Sequence, residues 1–269
     1  MENILKKIID SKKHKIFNYK KLYPINSLLN NIKENNTYID FKNKMIERTH
    51  EKKISIIAEI KKASPSAGLL VKNFNPLSIA KLYVENGASF LSVLTEEDFF
   101  LGKLEFLKII KNKYKIPVLC KDFFIDTHQV PLAKSFGADC ILIILSAVDK
   151  ELANDLYQAS NDLNVSTIIE VHSEKEAEVA LSFEKSIIGI NNRNLKTLET
   201  SLNTTILLSK ILSSHKNPII CESGIHSNEE IKLIVQKTGI YNFLIGESIL
   251  TNKDISSKMR EFARISPEK

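Results

Sequence analysis

The stretch Ile54–Leu70, ISIIAEIKKASPSAGLL, decides how the rest of the chain is read. Its first half is apolar and β-branched, as a buried strand should be, and it closes on Glu59 and Lys61 before a Ser-Pro-Ser-Ala-Gly turn. Side chains two apart share a strand face. If Ile57 faces the interior of a barrel, Glu59 and Lys61 extend that inward row to the open end, while Ile56, Ala58 and Ile60 point outward at covering helices. A surface ion pair at a strand end is the competing reading, and the other strand ends have to decide between them.

Downstream, β-rich runs alternate with longer amphipathic ones. Strands are expected at Ile54–Ile60, Phe90–Leu94, Pro117–Cys120, Cys140–Ile144, Thr167–Val171, Ile187–Ile190, Pro218–Glu222 and Phe243–Ile245. Helices are expected at Pro76–Asn86, Lys103–Asn112, Gln129–Phe136, Lys150–Leu163, Ser173–Ser182, Leu202–Leu212 and Ser227–Gln236, with a last one after Ser248. Parallel strands joined through helices cross over right-handedly. Eight such units close into a (β/α)8 barrel, and 269 residues suit one of roughly 250 residues with an addition. Asn86-Gly87-Ala88 and Phe136-Gly137-Ala138 read as a repeated helix-ending turn before a strand.

Upstream, residues 1–53 read as an N-terminal helical extension packed on a catalytic barrel of residues 54–269. Ile4, Leu5, Ile8 and Ile9 lie on an amphipathic helix ending before Pro24; a polar stretch around Asn30–Asn36 and a helix over Asp40–Thr49 follow.

The 43% apolar content supports a sizeable core, and no apolar run reaches the ~18 residues of a membrane-spanning helix. The N-terminus lacks a secretory pattern, and Glu2, Asp10 and the absence of Arg before Arg48 disfavour a transit peptide. Cys120, Cys140 and Cys221 are odd in number, lack metal-site spacing and sit in apolar runs, so buried free thiols in a reducing cytoplasm are expected. The net charge of +6 raises nucleic acid as a partner. Yet the Lys-rich segments Lys12–Lys21 and Lys108–Lys115 alternate with apolar residues at helical spacing and read as solvated helix faces. No nucleic-acid-binding motif accompanies them, and exposed aromatics with salt-dependent polyanion binding would be needed to favour that reading.

In such a barrel the C-terminal strand ends line the active site, and the last two loops commonly bind phosphate. Here they carry Glu59, Lys61 and Ser64; Thr95 and Glu96, with Phe99 nearby; Lys121 and Asp122; Glu170; Asn191 and Arg193; and Glu222. Each has an ordinary surface explanation, but unpaired buried charges cost several kcal/mol, so their recurrence points to one mixed-charge cluster. Ser223-Gly224 and Gly246-Glu247-Ser248 are small and open into helices, which suits either a phosphate or ordinary strand-to-helix turns.

The series IAEIKKASPSAG, LSVLTEEDFFLG, PVLCKDFFID, IIEVHS, IIGINNRNL, CESGI and FLIGES, in this order over residues 54–250, resembles the indole-3-glycerol-phosphate synthase family of tryptophan biosynthesis. The resemblance implies a lyase, and the length of 269 residues suggests its monofunctional form. It would convert 1-(2-carboxyphenylamino)-1-deoxyribulose 5-phosphate to indole-3-glycerol phosphate by ring closure, decarboxylation and dehydration, without metal or organic cofactor. By motif, Lys121 resembles the general acid of ring closure and Glu170 the general base. Lys61 would either contact the substrate carboxylate or supply the dehydration proton. Glu59, Asn191 and Glu222 would bind substrate hydroxyls or tune the lysines, and Ser64 would contact substrate. Phe99, Phe123 and Leu142 would pack on the anthranilate ring. Arg193 would support the anionic end, and Ser223, Gly224, Gly246 and Ser248 would hold the phosphate. The only expected partner is this phosphorylated small molecule, with no nucleic acid or membrane, and a monomer is expected. Many members read NNRDL where this chain has Asn194, which leaves the orientation of Arg193 in question. A phosphoribosylanthranilate isomerase, the neighbouring barrel reaction, would call for a Cys/Asp pair instead of two lysines with glutamates.

Overall fold

The computed structural model of the chain describes residues 4–34, 38–194 and 197–266. Three helices come first, α1 (Ile4–Leu22), α2 (Ile25–Glu34) and α3 (Phe41–His50), followed by β1 (Ser55–Ile60). A two-stranded antiparallel hairpin, β2 (Ala63–Ser64) and β3 (Gly68–Leu69), sits in the loop after it. Then follow α4 (Pro76–Glu85), β4 (Phe90–Leu94), α5 (Leu104–Lys113), β5 (Val118–Lys121), α6 (Gln129–Ser135), β6 (Cys140–Ile144), α7 (Lys150–Asp162), β7 (Ser166–Val171) and α8 (Glu174–Ala180). The chain continues through β8 (Ile187–Asn191), α9 (Asn203–Ile211), β9 (Ile219–Glu222), α10 (Asn228–Thr238), β10 (Asn242–Ile245), α11 (Glu247–Leu250) and α12 (Ile255–Ala263).

The eight longer strands pair in parallel and close into a barrel, β1 meeting both β4 and β10. Period-two alternation divides the core as expected. Ile57 packs inside with Phe90, Leu119, Ile168, Ile187 and Leu244, whereas Ile56, Ala58 and Ile60 join Ile79, Ala80 and Tyr83 in the layer between strands and helices. The two glycines expected to end helices do so: Gly87 and Gly137 have φ of 98° and 100°, a left-handed backbone that side chains disfavour.

The helices before β1 close both ends of the barrel. Phe41 and Met45 of α3 are fully buried, and the Phe41 ring lies 4.6 Å from that of Phe90. At the opposite end Leu5 and Ile8 of α1 join the same interior cluster. Lys12 of α1, buried against expectation, pairs with Asp122 at 2.7 Å, with side-chain exposures of 2% and 7%. Lys15 pairs with Glu97 and Asp98 at 2.5 and 2.7 Å, and Lys20 with Asp126 at 2.6 Å. The segment read as a solvated lysine face is therefore largely a docking edge against the loops after β4 and β5.

The sequence reading also missed α2. Its asparagines suggested an irregular stretch, but Ile25, Leu28, Leu29 and Ile32 repeat at helical spacing, and Leu28 is buried. Residues 35 and 36 of that stretch lie outside the described residues. The single helix expected after Ser248 is two, α11 and α12, with Asp254 capping the second by accepting from the Ser257 N–H. Among the described residues no helix is long and apolar enough to cross a membrane. Cys120, Cys140 and Cys221 are free and buried.

Candidate active site

Every barrel strand delivers its last inward residue to the same end, because parallel strands place their C-termini together. A cavity opens there, walled by strand ends and roofed by Ile4, Leu5 and Ile8 of α1. Glu59, Lys61, Ser64, Lys121, Phe123, Leu142, Glu170, Asn191, Arg193, Ser223, Gly224, Gly246 and Ser248 line it.

Two lysine–carboxylate groups face this space. Lys61 Nζ lies 2.6 Å from Glu59 Oε1. Burial would lift the Glu59 carboxyl, but Lys61, with Lys121 beyond it, holds it below the usual range. Lys121 Nζ lies 2.5 Å from Glu222 Oε2 and 3.0 Å from Glu170 Oε2. Burial opposes its charge, yet Glu170, Glu222 and Glu59 together raise its pKa above the ordinary lysine value. One ammonium between two buried carboxylates does not hold both fully ionised. Burial and repulsion from Glu170 push Glu222 up to about 7 despite the attraction of Lys121, while Glu170 stays well below the carboxylate range.

Glu222 does not line the cavity; it is wholly buried, with its Oε2 against Lys121. Gly189 makes room for it, since a Cβ there would stand 2.0 Å from Glu222 Oε1. Gly246 does the same for Glu59, with a Cβ clash of 2.5 Å.

On the apolar wall the structure places Phe100 where the sequence reading has Phe99. The buried Glu96 carboxylate accepts the backbone N–H groups of Asp98, Phe99 and Phe100 at 3.1, 2.7 and 3.0 Å. This curls the loop so that Phe100 turns inward, its ring 6.2 Å from that of Phe123.

At the opposite side Ser223 and Gly224 have φ of 68° and 79°, and Ser248 Oγ donates to the Ile225 carbonyl at 2.7 Å. A non-glycine residue in this region is strained and held by its surroundings. Successive N–H groups in such turns form a concavity suited to an anion. Arg193 donates to the Leu198 carbonyl at 2.9 Å and pairs with Glu247 at 3.2 Å. A carboxylate partner thus reaches Arg193 from α11 although residue 194 is Asn. Leu195, which closes that motif, lies outside the described residues.

The sequence reading also passed over His172, whose ring nitrogens stand 3.3 Å from Glu170 and 3.4 Å from Glu176. Its position two residues after Glu170 carries the period-two signal that could have found it. Lys12 gave no such signal, because a lysine on an amphipathic helix normally reads as solvated.

Fold and site together define the class: a (β/α)8 barrel with a cluster of paired lysines and glutamates at the C-terminal ends of its strands. The family model described as indole-3-glycerol phosphate synthase matches residues 5–262, and the chain belongs to that family. The indole-3-glycerol phosphate synthase of Alkaliphilus metalliredigens is 39% identical over 258 residues, covering 96% of this chain and 97% of its own length. That of Legionella pneumophila strain Paris is 44% identical over 207 residues, covering 77% and 80%. A solved 3-hexulose-6-phosphate synthase superposes with a TM-score of 0.60 at 14% identity, covering 78% of this chain and 98% of its own, a likeness of fold alone.

Proposed function

We propose that this chain converts 1-(2-carboxyphenylamino)-1-deoxyribulose 5-phosphate to indole-3-glycerol phosphate, with Lys121 as ring-closure acid and Glu170 as base. The observation that carries the reading is the pairing of Lys121 with Glu170 and Glu222 in a cavity that has an aromatic wall on one side and a positive-φ Ser-Gly turn on the other. Phe100 and Phe123 offer flat apolar surface to the anthranilate ring, while Arg193 and the N–H groups around Ser223 and Gly224 suit the phosphate. Held between those ends, the ring carbon bearing the carboxylate faces the ketone.

As that carbon attacks, charge grows on the ketone oxygen. A firmly charged Lys121 stabilises it and delivers the proton as the oxygen becomes basic. Carbon dioxide leaves and its bonding pair restores the aromatic ring. The new hydroxyl then departs as water with a proton from a lysine, while Glu170 takes the proton from the adjacent carbon. Lys61 either balances the substrate carboxylate in the first half or supplies the proton in the second. Glu59 anchors Lys61, Glu222 anchors Lys121, and Asn191 and Ser64 offer polar contacts to the sugar chain.

We take the enzyme to be a cytoplasmic monomer: its cysteines are unpaired, and one chain supplies both walls and roof of the cavity. The test is to mix purified protein with the carboxyphenylamino ribulose phosphate, without added metal, and follow indole fluorescence. Folded protein that forms no indole product would refute the assignment.

A further inference from the structure

We propose that His172 is a positioning residue that decides which of the two carboxylates on Lys121 stays ionised, holding Glu170, and not Glu222, as the charged base. The proposal rests on the function given above for Glu170. Its physical basis is a row of alternating charge running outward from the cavity: Lys121, Glu170, His172 and Glu176.

Glu170 presents one oxygen to Lys121 at 3.0 Å and the other to His172 Nε2 at 3.3 Å. The opposite ring nitrogen lies 3.4 Å from Glu176 on α8. Glu176 is itself fixed, accepting the His172 backbone N–H at 2.8 Å. Among the described residues Glu222 has no such cation on its far side: its Oε1 is buried without a hydrogen-bond partner. Lys121 alone therefore faces two carboxylates, and a second cation behind only one of them breaks the tie. Attraction between opposite charges 3–4 Å apart is strong at low dielectric and tolerates imperfect alignment. That matters here, because neither ring nitrogen of His172 is aligned for a hydrogen bond.

The charged groups facing the ring are Glu170 from its own strand and Glu176 from α8. Burial disfavours the imidazolium, but these two carboxylates raise His172 to about 9. The opposite displacements of Glu170 and Glu222 agree with this assignment. His172 is absent from the cavity wall, so it acts on the reaction only through Glu170.

Two measurements test the proposal, one of which needs no turnover. The ring proton and carbon shifts of His172, assigned by comparison with His172→Asn, are followed against pH in the wild type, Glu170→Gln and Glu176→Gln. We expect wild-type titration well above the ordinary imidazole value and a lower midpoint in each variant. Titration of His172 near neutrality, unmoved by Glu170→Gln, overturns the proposal whether or not the protein makes indole product. The second measurement is the pH profile of kcat/KM. His172→Asn should move the acid limb upward by about one pH unit, so that activity at a fixed pH below that limb falls about tenfold relative to its own plateau. A limb that superimposes on the wild type refutes the role. If His172→Asn fails to fold, His172→Gln, which removes the same cation, should shift the limb in the same direction. A wild type without activity would instead refute the proposed function, and the ring titration would still decide the pairing.

Discussion

The Lys121 ammonium lies 2.5 Å from the Glu222 carboxylate, which is wholly buried and does not line the cavity. The contact sets the charge and the aim of the residue to which we assign the first proton transfer. Lys121→Ala should therefore lower turnover about 10²–10⁴-fold, the scale of a general acid. It also leaves two carboxylates buried without their cation, at a cost of about 3–5 kcal/mol. Indole fluorescence and urea denaturation measure the two effects. Near-normal turnover by the folded variant would remove Lys121 from the acid role.

Gly189→Ala tests the support beneath Lys121 without touching a charge. The new methyl would stand 2.0 Å from Glu222 Oε1 and 3.0 Å from Ile168 Cγ2, in a place with no solvent to yield to. Glu222 must move and Lys121 with it. A displacement of about 1 Å at a catalytic group costs on the order of 10²-fold, so kcat should fall on that scale with KM much less affected. Unchanged kcat in a folded variant would show that the Glu222 contact is dispensable.

Thermal stability should fall as pH rises from about 5 to about 9. Glu222 is raised from 4.5 to about 7, so the folded state holds its proton more tightly and stability declines through that window. His172 is raised from 6.5 to about 9, so its contribution is complete below 6.5 and lost as pH climbs through 9. Glu59 and Glu170 are depressed; their contributions hold above 4.5 and fade under acid. Melting temperatures at closely spaced pH values check this, and His172→Asn should flatten the decline between 6.5 and 9. A flat wild-type curve from 5 to 9 would contradict the assignment.

Lys12→Met should loosen α1 from the mouth. It removes the cation from Asp122, which keeps the Thr95 hydroxyl at 2.6 Å and the Phe123 N–H at 2.7 Å. We expect a loss near the lower end of about 3–5 kcal/mol, and a raised KM because Leu5 and Ile8 roof the cavity. Lys15→Ala, on the more exposed rim, should cost within about 1 kcal/mol. Equal effects from the two substitutions would mean that burial of Lys12 carries no special weight.

Most of the barrel was legible in the chain, and the reason is local. All eight strands begin and end within one residue of where β-branched runs place them, since a parallel strand buried on both faces needs an apolar stretch and a turn to end it. The inward row Ile57, Glu59, Lys61 follows from the pleat alone. α2 was hidden because its asparagines outweighed the apolar spacing of Ile25, Leu28, Leu29 and Ile32, and burial of Leu28 against the barrel overrides that propensity.

The sequence by itself determined which inward-facing residue ends each strand, because that row is fixed by the pleat and needs only the pattern of residues along each run. It also carried the family, through seven short motifs in order. Tertiary structure alone decided how those residues divide the work. That Lys121 lies between Glu170 and Glu222, that Glu222 sits below the cavity, that Phe100 displaces Phe99, and that Lys12 locks α1 across the opening all depend on distances between elements far apart in the chain. Charge interactions are governed by separation and burial, and neither quantity is written in the order of the residues.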